Sequence, residues 1–237
     1  MIERIIAGLK QRAMAAIYRA KRQDTYILML HEVTEGAPAQ QPGLSITAEN
    51  LELLLENAQT KGIEFVHMSD IHTQGQQRRA VLTFDDIFLN ACQNAFPLLR
   101  QKGIPYTVFI TTDYVDQPGF VTSEQLEQLR QDPLCTIGFH ANSHRMMREL
   151  SNEEILTITD PKSFEEHWGV KCDYFAFPYG SVYACPRRAV RMVAKHGYRG
   201  VFSTINAGIS AEQICRNARF IPRICVNDAH WKELFNK

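Results

Sequence analysis

The feature that most constrains this chain is the alternation along it of short apolar runs with segments of helical periodicity. Tyr26–Val33, Ile63–Met68, Ala80–Phe84, Tyr106–Thr111, Cys135–Phe139, Tyr174–Phe177, Tyr198–Ser203 and Ile221–Val226 read as strands. Between them, Thr47–Thr60, Leu89–Gln101, Ser123–Arg130, Asn152–Trp168 and Pro186–His196 read as helices. Ser45 or Thr47 is placed to cap the first of these, and Thr122 with Gln125 makes a capping box for the third. Gly103 closes the second, and Pro161 interrupts the fourth. Strands separated by helices imply βαβ units and a mostly parallel sheet. Seven or eight strands without a linker predict an α/β fold with one barrel-like domain over residues 24–237.

Charge and cysteine content narrow the function classes. The 237 residues carry 26 Lys+Arg and 26 Asp+Glu, so the formal net charge is zero. Hydrophobic residues make up 45% of the chain, which excludes global disorder. The neutral balance argues against a nucleic-acid binder, and no apolar stretch is long enough for a membrane span. The balance hides an asymmetry: residues 1–23 hold Arg4, Lys10, Arg12, Arg19, Lys21 and Arg22 against Glu3 alone, a net of +5, leaving −5 on the rest. Ile2, Ile5, Ile6, Leu9, Ala13, Ala16 and Ile17 recur there at helical spacing. Residues 1–23 therefore read as a basic amphipathic helix, either packed on the domain or lying on an anionic membrane or a partner. Arg4, Lys10 and Arg12 break any apolar core of a secretory leader, and the expected location is cytoplasmic, with membrane association through this helix. The six cysteines form no C-x-x-C pair and are expected to be free, buried thiols.

In parallel α/β folds, chemistry gathers where strands end. Four ends carry polar groups here. Asp85 and Asp86 follow the run Ala80–Phe84; two adjacent carboxylates there call for a cation, a metal or a helix N-cap. His140 and His144 follow Cys135–Phe139 and would meet on one face if the segment were helical. Two imidazoles and a carboxylate leave open positions on a divalent ion. Phe177-Pro178-Tyr179-Gly180 is a turn able to aim a backbone N–H at an oxyanion. His31 ends Leu28-Met29-Leu30 and is either a satisfied core histidine or a general acid near neutral pH.

Together, Thr83-Phe84-Asp85-Asp86, the H-x-x-x-H segment and Phe177-Pro178-Tyr179-Gly180 occur in an order that resembles the polysaccharide deacetylases of the NodB-homology type, carbohydrate esterase family 4. Gly103–Phe109 and Leu150–Ile155 also fit, so the resemblance spans roughly residues 25–227. It implies a distorted (β/α) barrel of about seven strands and a divalent metal, usually zinc, on Asp86, His140 and His144. It implies Asp85 as general base and the Tyr179 N–H as an oxyanion donor. The acid histidine, placed in the first strand of circularly permuted members, corresponds to His31, with His230 as the rival. The implied reaction is hydrolysis of an N-acetyl group on an amino sugar, here in a cytoplasmic glycan intermediate for surface polysaccharide. A small non-sugar amide is the alternative substrate, and an inactive binding module the alternative function. Three positions depart from the pattern: Ile87 replaces a glycine, Ala141 a Ser or Thr, and Ala176 an arginine that orients the base. Arg223, at the start of the last strand, is the candidate to supply that cation.

Overall fold

A computed structural model describes residues 2–21, 23–36, 39–73 and 77–235. The elements in chain order are α1 (Ile2–Arg19), β1 (Thr25–Leu30), β2 (Glu32–Thr34), β3 (Ser45–Thr47), α2 (Ala48–Thr60), β4 (Glu64–Phe65) and β5 (Arg79–Asp85). There follow α3 (Leu89–Asn94), α4 (Phe96–Lys102), β6 (Tyr106–Ile110), α5 (Ser123–Gln131), β7 (Cys135–Phe139), α6 (Asn152–Ile158) and α7 (Lys162–Trp168). The chain ends with β8 (Tyr174–Ala176), α8 (Arg187–Val193), β9 (Gly200–Phe202), α9 (Ala211–Arg216) and β10 (Ile224–Cys225).

The sheet runs β10-β1-β5-β6-β7-β8-β9, with β4 added beside β5, and every one of these pairings is parallel. Ile221, three residues before β10, bridges to Phe202 of β9, so the segment leading into β10 brings the two ends of the sheet together. This is the barrel-like domain that the alternation predicts and the distorted (β/α) barrel that the resemblance implies.

Side-chain alternation divides the core into two layers. On β5, Ala80, Leu82 and Phe84 face the helices and join the larger cluster with Leu54, Phe96, Leu99 and Phe139. Val81 faces inward and packs with Ile27, Phe109, Ala176 and Phe202 inside the barrel. The same period carries Thr83 and then Asp85 to the interior, above Val81. On β7 it brings Gly138 against Phe109, where a Cβ would come within 2.6 Å of the ring, and His140 to the rim two residues later.

Several elements differ from the sequence expectation. The run Ile63–Met68 forms only the two-residue β4, followed by a 3-10 turn over Met68–His72. The helix expected over Leu89–Gln101 is two helices, because Pro97 starts a new first turn rather than continuing the old one. Tyr26–Val33 is interrupted at His31, and Ile221–Val226 is regular only at Ile224–Cys225. Residues 140–144 are not helical: Ala141 takes φ 69° and turns the chain at once after β7. Thr47 caps α2 by accepting from the Asn50 N–H, and Thr122 and Gln125 form their capping box. All six cysteines are unpaired, but only Cys172 and Cys185 are buried and Cys215 is exposed. Arg22 lies outside the described residues.

Candidate metal and acid-base site

Because the strands are parallel, their carboxyl ends share one rim. His31 follows β1, Asp85 ends β5, Thr111 follows β6 and His140 follows β7. Tyr179 lies three residues beyond β8. The sequence-predicted residues on these strands therefore converge, with one exception. His230 is exposed and lines a separate cavity of about 790 Å³ with Arg19, Tyr26 and Glu233.

Asp85 and Asp86 are adjacent but serve different neighbours. The turn between them explains how: Asp86 and Ile87 both have positive φ, 62° and 55°, and the Ile87 N–H donates to the Asp85 carbonyl at 2.8 Å. Left-handed backbone costs a β-branched residue roughly 1–2 kcal/mol, which is why glycine suits position 87. Ile87 is instead held there by burial of its side chain in the outer core. Ala141 and Tyr179 (φ 58°) share this conformation, so four of the six described non-glycine residues with positive φ line the site. Strain concentrated in this way marks a site whose surroundings fix its geometry.

Asp85 is buried and paired with Arg223, which is wholly buried. Two guanidinium nitrogens donate to its two oxygens at 2.7 and 2.6 Å. Arg223 is itself positioned by donation from Nε to the Ser203 carbonyl and from Nη1 to the Thr83 hydroxyl. Thr83 in turn donates to the Leu28 carbonyl. Ala176, where the family pattern has arginine, lies in the barrel interior; the cation reaches the same carboxylate from the segment before β10. Burial alone would raise the Asp85 carboxyl, but the Arg223 charge, His140 and the Arg223 hydrogen bonds hold it well below the usual carboxylate range.

Asp86, His140 and His144 form a second group whose ligand atoms all lie within 4.8 Å of one another. Asp86 Oδ1 is 3.6 Å from Nε2 of each histidine. The His140 Nδ1–H donates to the Ala176 carbonyl at 2.8 Å, which leaves Nε2 unprotonated and facing Asp86. Burial lowers His140 to about 3, so its imidazole is neutral. Burial, and then the neighbouring Asp85 charge, raise Asp86 to about 7. A buried carboxylate disfavoured as an anion, facing the unprotonated Nε2 of His140 and the Nε2 of His144, is a donor set suited to a cation. A backbone carbonyl fixing the far nitrogen of a histidine is the usual support for a metal ligand. The three residues thus fit a divalent metal.

His31 lies beside this group. Its Nδ1 is buried and has no hydrogen-bond partner among the described residues. Burial lowers it to about 4, against the pull of Asp85, so at rest its imidazole is neutral. The Tyr179 ring is half exposed and lies 4.5 Å from the His144 ring, while the Tyr179 N–H donates to no described residue. Sequence reasoning missed Thr111, which approaches Asp86 and the His140 carbonyl at 3.4 Å, and Tyr114, stacked on Phe120 and 6.0 Å from His144. Thr111 shared the signal that found the others, a polar group at a strand end. Tyr114 carried no such signal.

Comparison with known proteins agrees with this arrangement. A family model described as polysaccharide deacetylase matches residues 72–201. The chain is 20% identical over 176 residues to the poly-beta-1,6-N-acetyl-D-glucosamine N-deacetylase of Staphylococcus aureus, covering 68% of this chain. It spans 59% of the length of that relative. Among solved structures, IcaB from Ammonifex degensii superposes with a TM-score of 0.74 at 20% identity, covering 90% of this chain and 96% of that one. The Streptococcus pyogenes deacetylase PplD, in complex with acetate, gives 0.73 at 19% identity, covering 86% and 92%. The family match takes in more than half of the chain, including β5 with both aspartates, the two histidines and the turn at Tyr179, and the chain belongs to the polysaccharide deacetylase family.

Proposed function

We propose that this protein is a metal-dependent N-deacetylase acting on an N-acetylated amino sugar within a glycan. The observation that carries the reading is the pairing of two units on one rim: the Asp85–Arg223 ion pair and the Asp86–His140–His144 group. Zinc suits the latter, two imidazoles and one carboxylate with room for further ligands. When bound, such a cation supplies Lewis acidity toward water and toward the amide carbonyl.

The remaining steps belong to the chain. Arg223 keeps Asp85 ionised and fixes both its oxygens, so one oxygen is presented to an attacking water and accepts its proton. The free Tyr179 N–H, offered by a strained turn, donates to the oxyanion that develops on the carbonyl. Asp85 passes the captured proton to the neutral imidazole of His31 on the same rim. His31 then delivers that proton to the leaving nitrogen, and acetate and the free amine separate. His230, outside the rim, has no part in this scheme.

The substrate belongs to the same proposal. The exposed Tyr179 and the partly buried Tyr114 place aromatic rings beside the histidines, as a sugar ring requires. Six unpaired thiols suit a reducing compartment, in keeping with a cytoplasmic glycan intermediate. The test is release of acetate from β-1,6-linked N-acetylglucosamine oligomers by the zinc-loaded protein, with Asp85→Asn as control and a small N-acetyl amine as competitor. Zinc-stimulated release from the oligomer, abolished by the substitution, supports the assignment. A zinc-loaded wild type that binds the oligomer without cleaving it overturns it in favour of a binding module, and release only from the small amide overturns the glycan.

A further inference from the structure

Helix α1 rests on the domain by the wrong face for an ordinary amphipathic helix. The residues it turns inward are Ala7, Gln11, Met14, Ala15 and Tyr18, of which only Ala15 is fully buried. At 100° per residue these lie opposite Ile2, Ile5, Leu9 and Ala16. Ile2, Ile5 and Leu9 consequently remain 73%, 57% and 59% exposed. Bulky aliphatic side chains on one strip are not left in water without a reason.

Charge indicates what covers the strip. Beside it, between α1 and α8, runs a groove of about 1130 Å³ whose apolar lining includes Ile6, Ile17, Val190 and Phe220. Its rim carries Lys10, Arg187, Arg191 and Arg219. None of these four has an acidic partner among the described residues, and the groove's one acid, Glu3, is paired with Arg148 at 2.7 Å. Arg12 borders the strip on its other side. An apolar stripe edged by unpaired cations matches a surface that offers hydrocarbon beneath anionic headgroups.

We propose that α1 and the groove beside it form a docking surface for an anionic lipid bilayer. The helix lies in the interface with Ile2, Ile5 and Leu9 inserted, and the cations of the groove rim meet lipid phosphates. The attachment is rigidly tied to the rim of the barrel. Gln11 accepts from the Val182 N–H at 2.9 Å and donates to the Thr204 carbonyl at 3.2 Å, while Thr204 donates to the Tyr179 carbonyl at 3.0 Å. A bilayer holding α1 therefore holds the Tyr179 turn at a fixed place beside it.

The test is cosedimentation of the full chain with vesicles of phosphatidylcholine alone or mixed equally with phosphatidylglycerol. The variants are Ile5→Glu with Leu9→Glu, and separately Arg187→Glu with Arg191→Glu; circular dichroism checks the fold of each. Binding to the mixed vesicles, at least tenfold weaker in each double variant, in high salt or on phosphatidylcholine alone, is the result expected. Absence of binding, or binding indifferent to lipid charge, overturns the proposal. So does a dimer seen by light scattering in the wild type and lost with Ile5→Glu and Leu9→Glu, which would assign the strip to a second copy of the chain.

Discussion

Replacing Arg223 by methionine removes one partner of a buried ion pair and keeps much of its volume. The structure sets the scale of the loss. Both groups are buried, their two charge-assisted bonds are 2.7 and 2.6 Å, and no other described cation donates to Asp85. Breaking such a pair from one side costs about 3–5 kcal/mol, because the remaining charge is left without compensation. Domains are stable by only about 5–15 kcal/mol, so about a fifth or more of the total is at stake. At a urea slope of about 2–3 kcal/mol per molar, the midpoint falls by roughly 1–2.5 M. Asp85→Asn in the same background removes the stranded charge. The double variant should recover part of the loss, with a coupling energy of about 1–3 kcal/mol. Arg223→Lys keeps the charge but not the fork, and should lose about 1–3 kcal/mol with a reduced rate of acetate release. The two readouts separate positioning from simple stability: without Arg223 the Asp85 carboxyl rises, and the acid limb of the rate profile moves to higher pH. An Arg223→Met protein with an unchanged midpoint and an unchanged acid limb would refute the assignment of Arg223 as the group that orients the base.

Other outcomes follow from single features. Asp86→Asn should weaken zinc binding at least tenfold by calorimetry in the apo protein, and equal affinity would remove Asp86 from the ligand set. His31 has a folded pKa of about 4 against an ordinary 6.5, so it leaves stability unaffected above pH 6.5 and reduces it as pH falls toward 4, by roughly 3 kcal/mol in all. His31→Gln with chelator present should flatten urea midpoints across that window, and a slope as steep as in the wild type would contradict the burial argument. Ile87→Gly should relieve roughly 1–2 kcal/mol of backbone strain but lose more in buried side chain, for a net drop of about 1–3 kcal/mol in thermal or urea unfolding. A more stable variant would show that the strain, not the packing, dominates. Cys215 should react first with a thiol reagent, whereas Cys172 and Cys185, buried and with thiols pushed far up by burial, should react only on unfolding.

The sequence alone determined the architecture and most of the site. Strand–helix alternation forces parallel strands, parallel strands put their ends on one rim, and a search of those ends finds Asp85, Asp86, His140, His144, Tyr179 and His31. Local signals sufficed because each residue is placed by its own strand. What only the tertiary structure decided are the relations between segments distant in the chain. Arg223 stands 138 residues from Asp85, and only closure of the barrel by the segment before β10 brings the two into a bidentate pair. Apolar spacing identified α1 as amphipathic but could not say which face it turns inward. The docking of Gln11, Ala15 and Tyr18 settles that, and leaves the isoleucines outside. The turns at Ile87 and Ala141 follow the same logic: neither residue favours a left-handed backbone by itself, and both adopt it because burial on all sides outweighs a local cost of one or two kcal/mol.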